Sequence, residues 1–438
     1  MESVAVIRLS EAVSTCEASR TLSSEEAGSV YRCGFFTSVG VSHTRQTAET
    51  RSPPFNQIRH LSTRHEVHVF CLGDGPQDLT NVPGLQQHAK SVTTAAVDSL
   101  TIRLRALKAL LLGAPLSVAA LNETRLHHAI RQKFDELHPD LIIVYSCNMA
   151  QFAEHFPQVP RIMEFGDLDS LKWRQYAARS KIPLKWIYTI EEKRLLAYER
   201  QIAHRFSRVL VHTEIERRDF ERLIPGIAAG LVGNGVDLDY FRPKSEAKQP
   251  ASIVFSGVMD YRPNVDAAEW FCNEILPIVR AEIPEVNFTI CGNRPTTAVR
   301  CLARRQGVTV TGWVPDIRPY LARAEIFVAP LRMARGVQNK VLEALAMGLP
   351  CVASMPAWSG TVIPAGEGIL ATDNPPQFAE YVICLLQDHA WRTEMASRAR
   401  GAAEAYYRWE SQMVRFDDII ADVSEPVPDS ASASLKPA

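Results

Sequence analysis

From residue 66 onward, short apolar runs of strand length recur at intervals filled by helix-length stretches whose apolar residues return every three to four positions. In the first half these runs fall at 67–70, 141–145, 161–165 and 209–212, and in the second at 253–257, 287–292, 308–312, 326–330 and 351–354. Strand-like runs separated in this way predict parallel sheets assembled from βαβ units. The polar stretch 243–250, bounded by Pro243 and Pro250, divides them. The fold class expected is therefore α/β, two Rossmann-like doubly wound parallel-sheet domains facing a cleft, with ligands at the carboxyl ends of the strands. The boundaries expected are 55–242, a linker at 243–250, 251–401, a helix at 402–423 that crosses back to the first domain, and a disordered tail at 424–438 rich in Pro, Ser and Ala. Residues 1–54 do not join this rhythm and are expected to be aberrant or poorly ordered.

The chemistry is concentrated after the run 326–330. There Gly336-Val337-Gln338-Asn339-Lys340 opens a helical pattern that continues through Glu343. Backbone N–H groups at the start of a helix lack intrahelical partners and sit at the positive end of its dipole, which favours a diphosphate. Lys340 adds a mobile positive charge, and Glu343, on the same face by its i+3 spacing, is able to accept two hydroxyl hydrogen bonds from a ribose. The bland reading is a core helix whose Lys and Glu pair on the surface.

Length and charge narrow the function. A chain of 438 residues exceeds the size at which one core keeps growing, which suits two domains of about 200 residues each. A formal net charge of −1 argues against a general nucleic-acid binder. The nine cysteines are scattered with no Cys-x-x-Cys pair, a pattern of reduced thiols in the cytoplasm and not of a zinc site or a disulfide framework. No apolar run reaches spanning length. At 100–121, Arg103, Arg105 and Lys108 precede a leucine-rich stretch that packs on its own domain or lies on a membrane surface. Residues 171–210 hold ten Lys and Arg against three acids, which is a solvated helix face or a surface for an acidic lipid-phosphate or an anionic membrane. The Gly-x-Gly-x-x-Gly fingerprint is absent after every strand-like run, which disfavours a nicotinamide-dependent oxidoreductase.

Taken together, the stretches 255–267, 310–321, 329–350, 167–177 and 234–237 resemble a known family. The chain is similar to GT-B glycosyltransferases of the family 4 type, most of all to sugar transferases associated with bacterial exosortase (PEP-CTERM) and exopolysaccharide systems. The resemblance implies a retaining transfer of a sugar from a nucleotide-sugar to a glycan or lipid-linked acceptor. It also implies no cofactor, no metal and no nucleic acid, in the cytoplasm or at the inner face of the plasma membrane. Glu343 matches the second glutamate of the family's Glu-x7-Glu pattern, while the first falls at Arg335. Lys340 and the turn from Gly257 to Asn264 are the expected diphosphate contacts, with the backbone of Gly336, Val337 and Gln338 beside the sugar. Trp313 and Val314 provide an edge for the base. In the first domain many relatives carry a histidine where this chain has Gly166-Asp167. Asp167 is therefore expected, with Lys340, to serve catalysis, and Asp169, Ser170 and Lys172 to face the acceptor. Helix capping is the competing reading for Asp167, Asp169 and Ser170. The alternatives are a catalytically impaired nucleotide-sugar-binding protein and a nucleotide-sugar epimerase.

Residues 44–50 carry a further expectation. Their codons, read with a one-base shift, allow His-Pro-Pro-Asp-Ser-Gly-Asp, which resembles the Pro-Pro-Asp-x-Gly-Asp loop of similar proteins. The reading frame is thus expected to be displaced before about residue 54, removing the first strand and a catalytic loop.

Overall fold

The computed structural model describes residues 4–7, 9–10, 30–39, 53–73, 82–244 and 246–424. The strands of the first half are β1 (Val4–Ile7), β2 (Leu9–Ser10), β3 (Val30–Val39), β4 (Glu66–Gly73), β5 (Ser91–Ala96), β6 (Leu141–Tyr145), β7 (Arg161–Gly166), β8 (Arg208–Val211) and β9 (Ala229–Leu231). Seven of them run parallel in the order β5-β4-β3-β6-β7-β8-β9. β1 lies antiparallel to β3, β4 and β6, and β2 antiparallel to β3. Alternate residues serve opposite faces: Ile142 and Val144 enter one apolar cluster, Leu141 and Ile143 the other. Burial on both faces explains why these strands read as continuous apolar runs.

The second sheet contains β10 (Ser252–Ser256), β11 (Asn287–Cys291), β12 (Val308–Gly312), β13 (Ile326–Ala329), β14 (Cys351–Ala353) and β15 (Ile369–Ala371). All six are parallel, in the order β12-β11-β10-β13-β14-β15. The strand order reverses between β10 and β13, and the carboxyl ends of those two strands open the crevice where doubly wound sheets bind ligands.

Two expected boundaries shift. The first domain begins before residue 55, because Val30–Val39 is one of its inner strands, with Cys33, Phe35 and Phe36 wholly buried. A first strand is therefore present in the chain as it stands. Residues 40–52, which include the frame-shifted reading, and the tail from 425 lie outside the described residues. The single helix expected at 402–423 is two. His389–Tyr406 packs on the second domain through Ala399, Ala402 and Ala403, and Trp409–Ser424 crosses to the first through Trp409, Met413, Phe416 and Ile420. Asp417 ties the crossing helix to His60 and Arg64, at 2.9 and 3.1 Å. The weakly apolar β5 and β9 were not marked by the sequence pattern.

Candidate functional site

β10 ends at Ser256, and the chain turns at Gly257, where the backbone N–H donates to the carbonyl of Cys291 at 3.0 Å. A side chain at Gly257 would strike Asn264, with its first carbon 2.6 Å from Nδ2, so the turn is as tight as a glycine allows. Asn264 is almost wholly buried, and its amide donates to the carbonyl of Val258 at 2.9 Å. Its Oδ1 accepts from Lys340 Nζ at 2.6 Å. Two of the residues predicted to contact a diphosphate, 76 positions apart, are thus brought together at the crevice.

Lys340 stands in the first turn of the helix Asn339–Ala346. No side chain caps that helix through Gln338, whose amide instead donates to the carbonyl of Arg335 at 2.9 Å. Asn339 accepts from Asn234 of the first domain at 2.9 Å. Glu343, one turn on, is 3% exposed and far more enclosed than Lys340. Trp313 is exposed, and Val314 and Val337 lean on the second core.

Gly336 holds the loop before the helix against the first domain. Its φ of +61° suits glycine, and a first side-chain carbon there would lie 2.6 Å from both Asp167 Oδ1 and Glu216 Oε1. Asp167, at the carboxyl end of β7, therefore faces the loop of the second domain across the cleft. Burial pushes the Glu216 carboxyl well above the usual range, and the Asp167 carboxylate beside it adds to the push. Two carboxyl groups so close hold one proton between them more readily than two charges. Arg335, at the position of the missing glutamate, pairs with Asp219 of the first domain at 2.6 Å. Nearby, Arg262 donates to Ser180 Oγ and to the carbonyl of Arg179, at 3.0 and 2.9 Å, closing the mouth at its other side. A cavity of about 590 Å³ opens there, lined by Arg179, Asp260, Arg262, Asp266, Glu269 and Arg332 among others.

The predicted acceptor-side residues are placed differently. Asp169 begins the helix Asp169–Ala178 and lies 3.5 Å from Lys172, whose ammonium it holds charged well above the usual range. Ser170 is buried, and its N–H and hydroxyl both donate to Glu199, at 3.1 and 2.5 Å. Its hydroxyl is spent inside the domain and not presented to the cleft. Among the described residues, no group of three or more His, Cys, Asp or Glu side chains is arranged to hold a metal ion.

Sequence reasoning missed Glu216 and Asp219. Thr213 caps the helix Glu214–Leu223, accepting from Glu216 N–H at 3.1 Å, so Thr213 and Glu216 look like an ordinary capping box. A second buried network escaped notice as well: Glu164 in β7 accepts from Gln57 at 2.9 Å and pairs with His212 at 2.7 Å.

Comparison with known proteins fits this geometry. Residues 250–388 match the family model described as glycosyl transferases group 1. A GDP-mannose-dependent monoacylated alpha-(1-6)-phosphatidylinositol monomannoside mannosyltransferase of Corynebacterium glutamicum is 28% identical over 218 residues, 44% of this chain. That match spans about half of the relative's length, 55%. Among solved structures, sucrose-phosphate synthase of Thermosynechococcus elongatus superposes with a TM-score of 0.62 at 18% identity, covering 84% of this chain and 91% of that one. HepE of Anabaena, solved with UDP-glucose, gives 0.60 at 13%, covering 84% and 94%. At such identities these structures establish the fold alone, and it is the GT-B arrangement of two facing α/β domains.

Proposed function

We propose that this chain is a retaining glycosyltransferase that moves a sugar from a nucleotide-sugar to a hydroxyl of a glycan or lipid-linked acceptor, in bacterial exopolysaccharide or cell-surface glycan synthesis. Lys340 carries this reading: its ammonium is held by Asn264 at 2.6 Å beside the start of a helix, at the crevice of the domain that matches group 1 glycosyl transferases. A diphosphate placed there meets a positive charge and backbone N–H groups, and both act most strongly as the sugar departs and charge grows on the leaving oxygen. Glu343 takes the ribose, Trp313 and Val314 flank the base, and Gly336 to Gln338 line the sugar. Asp167, reaching the same loop from the first domain, orients the acceptor hydroxyl once the cleft is closed. No metal or cofactor enters this scheme.

A panel of nucleotide-sugars tested by calorimetry, with Glu343→Ala beside Glu343→Gln, examines the donor half. One donor is expected to bind, and loss of two hydrogen bonds to a carboxylate weakens it by on the order of a hundredfold. Donor binding unchanged in both variants refutes the ribose placement. Turnover with lipid-linked hydroxyl acceptors examines the rest. Tight donor binding without release of the nucleotide marks a catalytically impaired binding protein that has lost its N-terminal loop. Epimerisation of the donor sugar overturns the transferase reading.

A further inference from the structure

The helix Ser99–Leu112 is apolar on two opposite sides. One side, through Ile102 and Ala109, packs on the first domain, and Arg105 anchors it to Glu123 at 3.0 Å. The other carries Leu100, Leu104, Leu107 and Leu111, a stripe at helical spacing in which each side chain is between 59% and 82% exposed. Among the described residues, these four side chains stay exposed with nothing packed over them. Arg103 and Lys108, both exposed, flank it on either side by the 100° advance per residue of an α-helix.

A second apolar projection stands on the same domain. Residues 181–186, Lys181-Ile182-Pro183-Leu184-Lys185-Trp186, are exposed without interruption, with Ile182, Leu184 and Trp186 at 50% to 84%. The two projections are mechanically joined. Arg194, on the helix Leu184–Ala203, donates to the carbonyls of Ala109, Leu110 and Ala114, which end the leucine helix. Glu191 of the same helix accepts from Leu116 and Ser117 just beyond it. Trp186 precedes Arg194 by eight residues, about 12 Å of helical rise. Neither segment contains an acid.

We infer that the leucine stripe of Ser99–Leu112 and the projection at residues 181–186 form one docking face by which the first domain lies on the surface of an anionic lipid bilayer. Apolar side chains flanked by Lys and Arg, with an exposed Trp, match the boundary between headgroups and acyl chains. Exposed apolar area of this kind is otherwise uncommon on a monomer. Among the described residues, no helix is long and apolar enough to cross a membrane, so attachment through this face is peripheral.

Co-sedimentation of the full chain with phosphatidylglycerol–phosphatidylcholine vesicles tests this independently of turnover and of the donor. The wild type is expected to bind these vesicles, to prefer them to phosphatidylcholine alone, and to be released by salt. Replacing Leu104, Leu107 and Leu111 together by Ser lowers affinity on the order of a hundredfold. Lys181→Glu with Lys185→Glu lowers it by at least about fivefold for each lysine. These positions are exposed, so melting temperatures should match the wild type. The Trp186→Phe variant should lose part of the fluorescence blue shift that vesicles produce. The inference fails if folded wild-type protein does not bind, or binds both vesicle types equally. It also fails if the leucine triple variant abolishes a dimer in solution while vesicle binding is nil, which would make the stripe an interface between copies.

Discussion

Arg335 Nη2 of the second domain donates to Asp219 Oδ2 of the first at 2.6 Å, one residue before the glycine that rests on Asp167 and Glu216. Both partners are largely enclosed, and hydrogen bonds from Arg335 and Arg222 keep Asp219 charged below the usual carboxylate range although burial opposes this. The pair therefore acts as a tie between domains.

Removing the tie should favour the open cleft. Arg335→Met keeps the length of the side chain and leaves Asp219 to Arg222, and the radius of gyration from small-angle scattering is expected to rise. A double-mutant cycle with Asp219→Asn should show a coupling of about 1 kcal/mol in domain closure. Strict additivity with unchanged scattering would deny the tie any role.

Lys340 and Asn264 should be unequal partners in turnover. Lys340→Met removes the charge that we propose faces the departing diphosphate, and kcat/KM is expected to fall by about 10²–10³-fold. Asn264→Ala leaves the charge but frees the ammonium and the carbonyl of Val258, with an expected loss of about tenfold. Steady-state kinetics with the bound donor decide it. Wild-type rates in the lysine variant would remove Lys340 from the chemistry.

Gly336→Ala should impair closure more than binding. The new methyl group would lie 2.6 Å from two carboxylate oxygens of the first domain, on a backbone with φ of +61°. Opening the cleft relieves the clash with those two oxygens, while the backbone strain of about 1–3 kcal/mol stays in the loop. Expected are a donor Kd within about threefold of wild type and a kcat reduced at least tenfold, since binding energy then no longer closes the site. A donor Kd that worsens while kcat holds would contradict this.

Much of this was legible in the sequence because burial on both faces writes parallel strands as apolar runs, as at residues 141–145 and 326–329. Lys340 could be named as a donor residue from its strand-turn-helix junction, and Asn264 from the family resemblance of its turn. Their contact, across 76 positions, could not. Glu216 was hidden for a different reason: its spacing from Thr213 is that of a helix cap, and only the tertiary fold turns its carboxyl toward Asp167. Ser170 is the reverse case. A hydroxyl in an acceptor-like motif is claimed by Glu199, on a helix whose approach no local spacing announces.

Glu199 should leave a signature in stability against pH. It is wholly buried, and burial raises its pKa to about 8, even though the N–H and hydroxyl of Ser170 favour the charged form. The unfolded chain returns it to an ordinary value near 4.3. Between these two values the folded state holds more proton than the unfolded one, so Glu199 lowers stability as pH rises, by up to about 1.4 kcal/mol per pH unit. His65 and His127, held near 4 chiefly by burial, have the opposite sign, but their effect ends by about pH 6.5. From about pH 6.5 to 8 the denaturation midpoint of the wild type should therefore fall relative to Glu199→Gln, whose amide keeps the shape without the titration. Parallel midpoints across that window would mean that Glu199 is ionised inside the fold, with Ser170 outweighing its burial.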